Sequence, residues 1–500
     1  VAFQRASGIL LHPTCLPSRF GIGDLGQPAY EFINFLERSG QKLWQVLPLG
    51  PTGLEHSPYI MNFSSFAGNP LLIDLDQLAE AGLLNSADLL PLTTEPDPEP
   101  GYGRVDFDRV IEHKLKYLNQ AFQRFQPDQR YEQFCQQQSW WLEDYVLFMA
   151  LYEANDRLPW NKWDRALVER KPEALEQARQ QLHDQIQFHK FIQFQFFEQW
   201  SKLRAYANGK GIQIVGDISI YVCHNSADVW AAPEMFKLNP ETYDPAFMAG
   251  VPPDYFSATG QLWGNPVYDW ERMEQENFAW WVNRFKATLL YVDIVRIDHF
   301  RGFEAYWQVP AGETTAMNGE WVKGPDAKFF EVLKAAVGQL PVMAEDLGII
   351  TPEVELLRDR FNFPGMRILQ FAFGGDPNNP YLPHHYIHNS VVYPGTHDND
   401  TAIGWWNTAN DAEKYSVAHY LGYDNPAQLQ INWVFIRTAL ASVADLAIIP
   451  LQDVLGLDGR ARMNDPRYND GQWRWRFTDI GLLSSELSGR LRWLTQMYSR

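Results

Sequence analysis

Three acidic residues, each closing a short apolar run, carry the chemical interest of this chain: Asp298, Glu345 and Asp398. They end Val292-Asp-Ile-Val-Arg296-Ile-Asp298, Pro341-Val-Met-Ala-Glu345-Asp346 and Val391-Val-Tyr-Pro-Gly-Thr-His397-Asp398. The β-branched runs read as buried strands. A buried strand has no cheap place for charge, because an unpaired one costs roughly several kcal/mol. Arg296 and Asp298 must therefore pair, or serve a ligand at the strand's carboxyl end. For that dipeptide alone, an ion pair that merely ties two strands is the plain alternative. Repetition tilts the balance: the acids lie about 50 residues apart, room for a helix or two between strands. The pattern suggests a parallel barrel or sheet presenting carboxylates at one rim, where such folds do their chemistry.

Asp217, after Ile212 to Gly216, and His397 join the same set. The sequence has no His/Cys cluster at zinc spacing, no HExxH, no GxSxG, no phosphate loop and no GxGxxG. Carboxylate chemistry remains. One ionised and one protonated carboxyl group, with aromatic platforms beside them, are the equipment of glycosyl transfer or glycoside hydrolysis.

Composition narrows the partners. The formal charge of −19 and pI near 5.1 repel nucleic acid and anionic lipid, and favour a neutral or cationic ligand. Aromatics make up 14%, with 19 Trp, some of which suit sugar-like ligands while most belong to packing. Cys15, Cys135 and Cys223 are odd in number and widely spaced, which argues for reduced thiols in a cytoplasmic setting. No signal-peptide pattern or long apolar span stands out, so an intracellular protein is expected.

The elements that must position these residues are eight apolar runs: Ser7 to Leu11, Lys42 to Leu49, Ile212 to Val215, the Val292 stretch, Val342 to Glu345, Met366 to Phe371, Ser390 to Tyr393 and Leu446 to Leu451. Between the first two, Pro28 to Ser39 reads as a helix stopped by Gly40. Eight runs, most separated by helical patterns, predict an α/β fold of the (β/α)8 barrel type, with an open doubly wound sheet as the alternative. One catalytic barrel spans 1–500 in this reading. A largely helical insertion, 50–209, follows the second strand, and a loop-rich aromatic insertion, 221–270, follows the third. Trp230, Tyr243, Tyr255, Phe256, Trp263 and Trp270 mark the latter. Insertions after strands sit on the catalytic rim and are expected to wall the cleft.

Seven motifs in order carry a more specific resemblance. They are Ser7-Gly-Ile-Leu-Leu-His-Pro-Thr-Cys-Leu-Pro-Ser with Gly21-Ile-Gly-Asp-Leu-Gly26, Ser57-Pro-Tyr59, Gly216-Asp217-Ile-Ser-Ile-Tyr-Val, Leu262-Trp-Gly-Asn-Pro-Val-Tyr, Arg296-Ile-Asp298-His299-Phe-Arg-Gly, Ala344-Glu345-Asp346-Leu-Gly and Gly395-Thr-His397-Asp398-Asn-Asp-Thr. From the first residues to about Arg476 the chain resembles the amylomaltases or disproportionating enzymes, the 4-α-glucanotransferases of glycoside hydrolase family 77 in the α-amylase superfamily. The resemblance implies Asp298 as nucleophile, Glu345 as general acid/base and Asp398 as transition-state stabiliser. Arg296 resembles the cation that holds the nucleophile ionised. Asp217, His299 and His397 match sugar-binding positions, Tyr59 and Trp263 ring-stacking positions, and Ser57, in the Tyr59 motif, a substrate-binding position. Asp254 and Gln261 resemble subsite residues, and Asn464 the flexible loop that closes over the donor sugar. No cofactor or metal is implied; the partners are α-1,4-glucans such as maltooligosaccharides, starch and glycogen. A retaining α-glucan hydrolase, or a catalytically silent glucan-binding protein, would share much of this pattern.

The closing loop departs from the pattern it resembles. Arg467 stands where the family has glycine and Gln472 where it has asparagine, within Arg462-Met-Asn464-Asp-Pro-Arg467-Tyr-Asn-Asp-Gly-Gln472-Trp473. Glycine takes positive φ at little cost and arginine does not, so a displaced, leakier loop is expected, with more hydrolysis per transfer.

Overall fold

The computed structural model describes residues 3–53, 56–59, 63–92, 100–254, 257–468 and 470–500. Tyr255, Phe256 and most of the acidic, proline-rich loop between Pro91 and Pro100 lie outside the described residues, as does Asn469 of the closing loop.

All eight apolar runs contain strands: β1 Ala6–Leu10, β2 Leu43–Gln45, β3 Gln213–Ile218, β4 Ile294–Ile297, β5 Val342–Ala344, β6 Gly365–Ile368, β7 Ser390–Tyr393 and β8 Leu446–Pro450. They pair in parallel, each with its neighbours in sequence, and β1 closes on β8. The result is a closed eight-stranded barrel rather than an open sheet. Both faces are covered, so nearly every strand residue is buried, the few polar ones included. Gly8 marks a point of close approach: a methyl group there would run into the Leu43 carbonyl of β2.

The crossover helices bury one face against the barrel. Gln27–Arg38 buries Ala29, Phe32, Ile33, Phe35 and Leu36, and ends before Gly40 at φ +77°. Residues between β2 and β3 form helices Phe107–Arg124, Gln129–Ala154 and His183–Gly209, among shorter ones. The last of these buries Ile192, Phe196 and Leu203 and feeds β3. Gln193 and Gln199 on it bond in both directions to the backbones of Gly68 and Asp74. These paired amide bonds tie the loop after β2 to the crossover helix. Tyr102–Arg104 pairs antiparallel with Trp475–Phe477, anchoring the chain that follows the closing loop on this region.

The stretch 221–270 is more ordered than its loop-like sequence predicts. It contributes strands Phe247–Val251 and Gln261–Pro266 to a four-stranded antiparallel sheet with Ala305–Pro310 and Glu320–Lys323. The partners come from beyond β4, so no local pattern announces the sheet. Among the described residues, no helix is long and apolar enough to cross a membrane.

Candidate active site

The residues singled out from sequence meet at the carboxyl ends of β3, β4, β5 and β7. Register places them: Asp217 lies level with Arg296, and Ile297 level with Ala344, so Asp298 and Glu345 follow at the same height on adjacent strands. Adjacent strands run about 5 Å apart. Arg296 is buried, and one nitrogen, Nη1, donates to both Asp217 Oδ2 at 2.7 Å and Asp298 Oδ1 at 3.0 Å. Tyr59 Oη also donates to Asp217 Oδ2, at 2.7 Å. The side chain of Asp298 keeps 29% of its surface exposed, against none for Asp217. Asp217 is thus the covered partner of the arginine, and Asp298 the partner that also faces open space.

Glu345 is held by its own neighbours. Oε2 accepts from His299 N at 2.7 Å and Oε1 from Leu347 N at 2.8 Å. Burial, then the Asp298 charge, push its carboxyl up to about 8, against the opposing pull of Arg296 and the two N–H groups. It is therefore largely protonated at neutral pH. Burial likewise pushes Asp217 up to about 7 despite Arg296.

His299 turns the chain out of β4 in the left-handed region, at φ 51°, a conformation uncommon outside glycine and asparagine. The turn lets its N–H reach Glu345 and sets its ring edge-on to Trp263 at 4.9 Å. Burial, then Arg301, hold His299 down to about 3, so the imidazole is neutral. Trp263 donates to Gln261 Oε1 at 3.3 Å. Asp254 accepts from Ser257 N within its own turn ahead of that strand.

On the other wall, Tyr59 stacks on His397 with ring centroids 5.1 Å apart and planes 6° apart, and Ser57 Oγ accepts from Tyr59 N. His397 Nε2 lies 3.5 Å from Asp398 Oδ2. The Asp398 side chain is 45% exposed; its Oδ1 accepts from Asn464 Nδ2 at 2.7 Å, and its carbonyl from Arg462 Nη2 at 2.6 Å. The three carboxylates, Arg296, Asp217, His299, His397, Tyr59, Trp263 and Asn464 are thus linked by short contacts, while Asp254 and Gln261 stand in the loop and strand beside Trp263.

Two participants went unassigned in the sequence. Trp473, at φ 65°, is buried beside Tyr59 and His397, with centroids 5.8 and 6.0 Å away. Arg462 binds the backbone of Asp398. A tryptophan and an arginine flanking the Asn464 motif were the available signal. Asp346, by contrast, points away from the cleft to Arg358 at 2.5 Å and to Met366 N.

The expected strain at Arg467 is not there. Arg467 is not among the residues with positive φ; Gly471 and Trp473 take that conformation instead. Among the described residues, no group of three or more His, Cys, Asp or Glu is placed to hold a metal ion.

Comparison with known proteins decides the family. Residues 11–482 match the family model described as 4-alpha-glucanotransferase. The chain belongs to the 4-alpha-glucanotransferase family. It is 54% identical to the 4-alpha-glucanotransferase of Synechocystis sp. over 99% of this chain and 98% of that one, and 48% identical to that of Thermus thermophilus over 99% of both. Its fold superposes on the amylomaltase of Streptococcus agalactiae, solved in complex with acarbose, with a TM-score of 0.94 and 38% identity, covering 99% of this chain and 100% of that one. The enzyme is a 4-alpha-glucanotransferase with a barrel of the amylomaltase type.

Proposed function

We propose that this 4-alpha-glucanotransferase cleaves an α-1,4-glucan, holds the donor part as a glycosyl ester on Asp298, and passes it to the 4-hydroxyl of another glucan or of glucose. The observation that carries the reading is the division of labour between two level carboxyl groups on adjacent strands. Asp298 is bonded to a buried guanidinium, and Glu345 is held protonated by burial. In the first half-reaction Asp298 Oδ attacks the anomeric carbon while Glu345 gives its proton to the departing glucan's oxygen. Two carboxyl groups about 5 Å apart fit such a double displacement with net retention. Ester formation removes the Asp298 charge that helps hold the Glu345 proton, so Glu345 becomes the better base. It then takes the proton of the acceptor hydroxyl as the acceptor oxygen displaces Asp298.

Asp398, exposed toward the cleft and fixed by Asn464, supports the positive charge that develops on the sugar ring in the transition state of each step. Asp217, His299 and His397 bind the donor sugar's hydroxyls, and Tyr59 and Trp263 give it apolar faces. Ser57 holds Tyr59 in place; Asp254 and Gln261 serve the glucan outside the donor subsite. The insertions 50–209 and 221–270 wall the cleft. The odd number and wide spacing of Cys15, Cys135 and Cys223 favour work in the cytoplasm.

The deciding experiment is a product ladder from pure maltotriose, with reducing ends counted alongside. Transfer conserves glycosidic bonds, so shorter and longer glucans plus glucose should appear at constant reducing-end number. A steady rise in reducing ends without longer products would mean a hydrolase.

A further inference from the structure

The closing loop converges on a residue that the reaction does not touch. Asp465 is 8% exposed and sits between Asn464 and the turn that carries Arg467. Its Oδ2 lies 2.6 Å from Arg467 Nη2 and 3.1 Å from Arg462 Nη1. Its Oδ1 accepts from Arg467 Nε at 2.9 Å, and its backbone N–H donates to Gln472 Oε1 at 2.7 Å. Gln472 in turn donates to Asp470 O at 3.0 Å. Arg467 and Gln472, the two departures from the resembled motif, thus both end on Asp465.

The consequence runs inward through Arg462. Its Nε donates to Asn464 O at 2.7 Å and its Nη2 to Asp398 O at 2.6 Å, while Asn464 Nδ2 donates to Asp398 Oδ1. A guanidinium is a planar fork, so fixing one nitrogen fixes the directions of the others. We propose that Asp465 is a positioning residue: by orienting Arg462 it seats Asn464 on Asp398 and keeps the loop from 462 to 473 closed while the glycosyl-enzyme waits for a sugar acceptor. Asp465 is held below its ordinary range first by the Arg467 bonds, in keeping with a permanently charged latch. A closed loop excludes water. The latch therefore favours transfer over hydrolysis, reversing the leakier loop expected from sequence. This inference rests on the proposed role of Asp398.

The test compares Asp465→Asn, Arg467→Ala and Asp398→Asn on maltotriose, counting reducing ends per transfer event and fitting kcat and KM. Asp465→Asn keeps the side-chain shape but loses the charge. It should raise the hydrolysis-to-transfer ratio about fivefold or more and lower kcat about tenfold, with KM within about twofold. Arg467→Ala removes a side chain that is 72% exposed and should fold; it should raise the ratio about twofold. Asp465→Glu, which can still pair with both arginines, should restore part of the difference. A wild-type ratio in both Asp465→Asn and Arg467→Ala overturns the proposal, whatever happens to thermal stability. If Asp465→Asn does not fold, the Arg467→Ala ratio alone decides. A wild-type rate in Asp398→Asn overturns the reading of Asp398 and the latch with it, whereas an inactive Asp398→Asn beside an unchanged Asp465→Asn ratio sinks only the latch.

Discussion

The pH dependence of the reaction should turn on Glu345, whose carboxyl is pushed up to about 8. A group with that pKa is protonated in about nine molecules of ten at pH 7; at the ordinary 4.5 the fraction is about one in three hundred. The folded site thus enriches the acid form about 300-fold at neutral pH. The acid form is lost as pH rises, so kcat/KM for maltotriose should fall on the alkaline side with a midpoint near about 8. Asp217, at about 7, shares Arg296, so the limb belongs to the interacting set rather than to one residue.

A substitution separates the causes. Burial is the larger and the Asp298 charge the second, so Asp298→Asn should lower the Glu345 pKa while leaving it above 4.5. The direct assay is the carboxyl ¹³C titration of glutamate-labelled protein, with Glu345→Gln identifying the resonance by its loss. Asp298→Asn also imitates the neutral ester, so the downward shift measures how far Glu345 is prepared to act as base in the second half-reaction. Glu345 titrating in the ordinary carboxylate range in the wild type would refute the reasoning. So would a midpoint that Asp298→Asn leaves in place, because the two carboxyl groups would then not sense each other.

Glu345→Gln should fold and accumulate a covalent glycosyl adduct from an α-glycosyl fluoride, whose leaving group needs no acid; intact-mass measurement should show it, and turnover of maltotriose at the wild-type rate would end the acid/base assignment. Arg296→Lys sets its nitrogen about one bond short of the Nη1 position that serves both Asp217 and Asp298, and kcat/KM should fall about 100-fold or more; a loss under threefold would assign Arg296 to charge balance alone. Asp453 is buried and pushed up to about 7, with Oδ1 accepting from Ala402 N and Oδ2 bonded to nothing among the described residues. Its folded pKa lies above the unfolded value, so the folded form holds the extra proton between about 4 and 7, and stability falls as pH rises through that window. Asp453→Asn should flatten the decline between pH 4.5 and 7.5 by up to about 3 kcal/mol in urea unfolding; an unchanged slope would mean that the side chain is ionised in the fold.

How much of this was legible depends on where each signal lives. The barrel strands are runs of β-branched residues ending at charge, and Ser390–Tyr393 has the bounds read from sequence. A run buried on both faces writes its own pattern. The sheet formed by 247–251 and 261–266 was not legible, because Phe247 finds its partner at Pro310 and Met248 at Val309, across β4. Strand propensity is largely a statement about neighbours, and those neighbours are remote. The Asp465 latch was hidden for a related reason: Arg467 and Gln472 look like losses against a motif, and only the folded loop shows both turned onto one residue, Arg467 onto the Asp465 carboxylate and Gln472 onto its backbone N–H.

The two adjacent acids at the end of β5 show what register adds. Glu345 and Asp346 are equally acidic, and the motif alone does not say which faces the cleft. Successive residues on a strand point to opposite faces, so one must face inward and the other toward the surrounding helices. Arg296 and Asp298 share a face, since one nitrogen of the arginine reaches the aspartate. Met343 is level with Arg296 and Ala344 with Ile297, so Met343 and Glu345 share that inner face while Asp346 takes the outer one. There it meets Arg358 of helix Pro352–Arg360 as a buried ion pair. Exchanging the two acids would put the carboxyl proposed to move the proton against the Arg358 and Arg367 guanidiniums, which oppose its protonation, and leave the cleft with an acid one methylene too short. Parity of position, fixed by one line of strand register, is what separates the acid that faces the cleft and the proposed chemistry from the one that holds the wall.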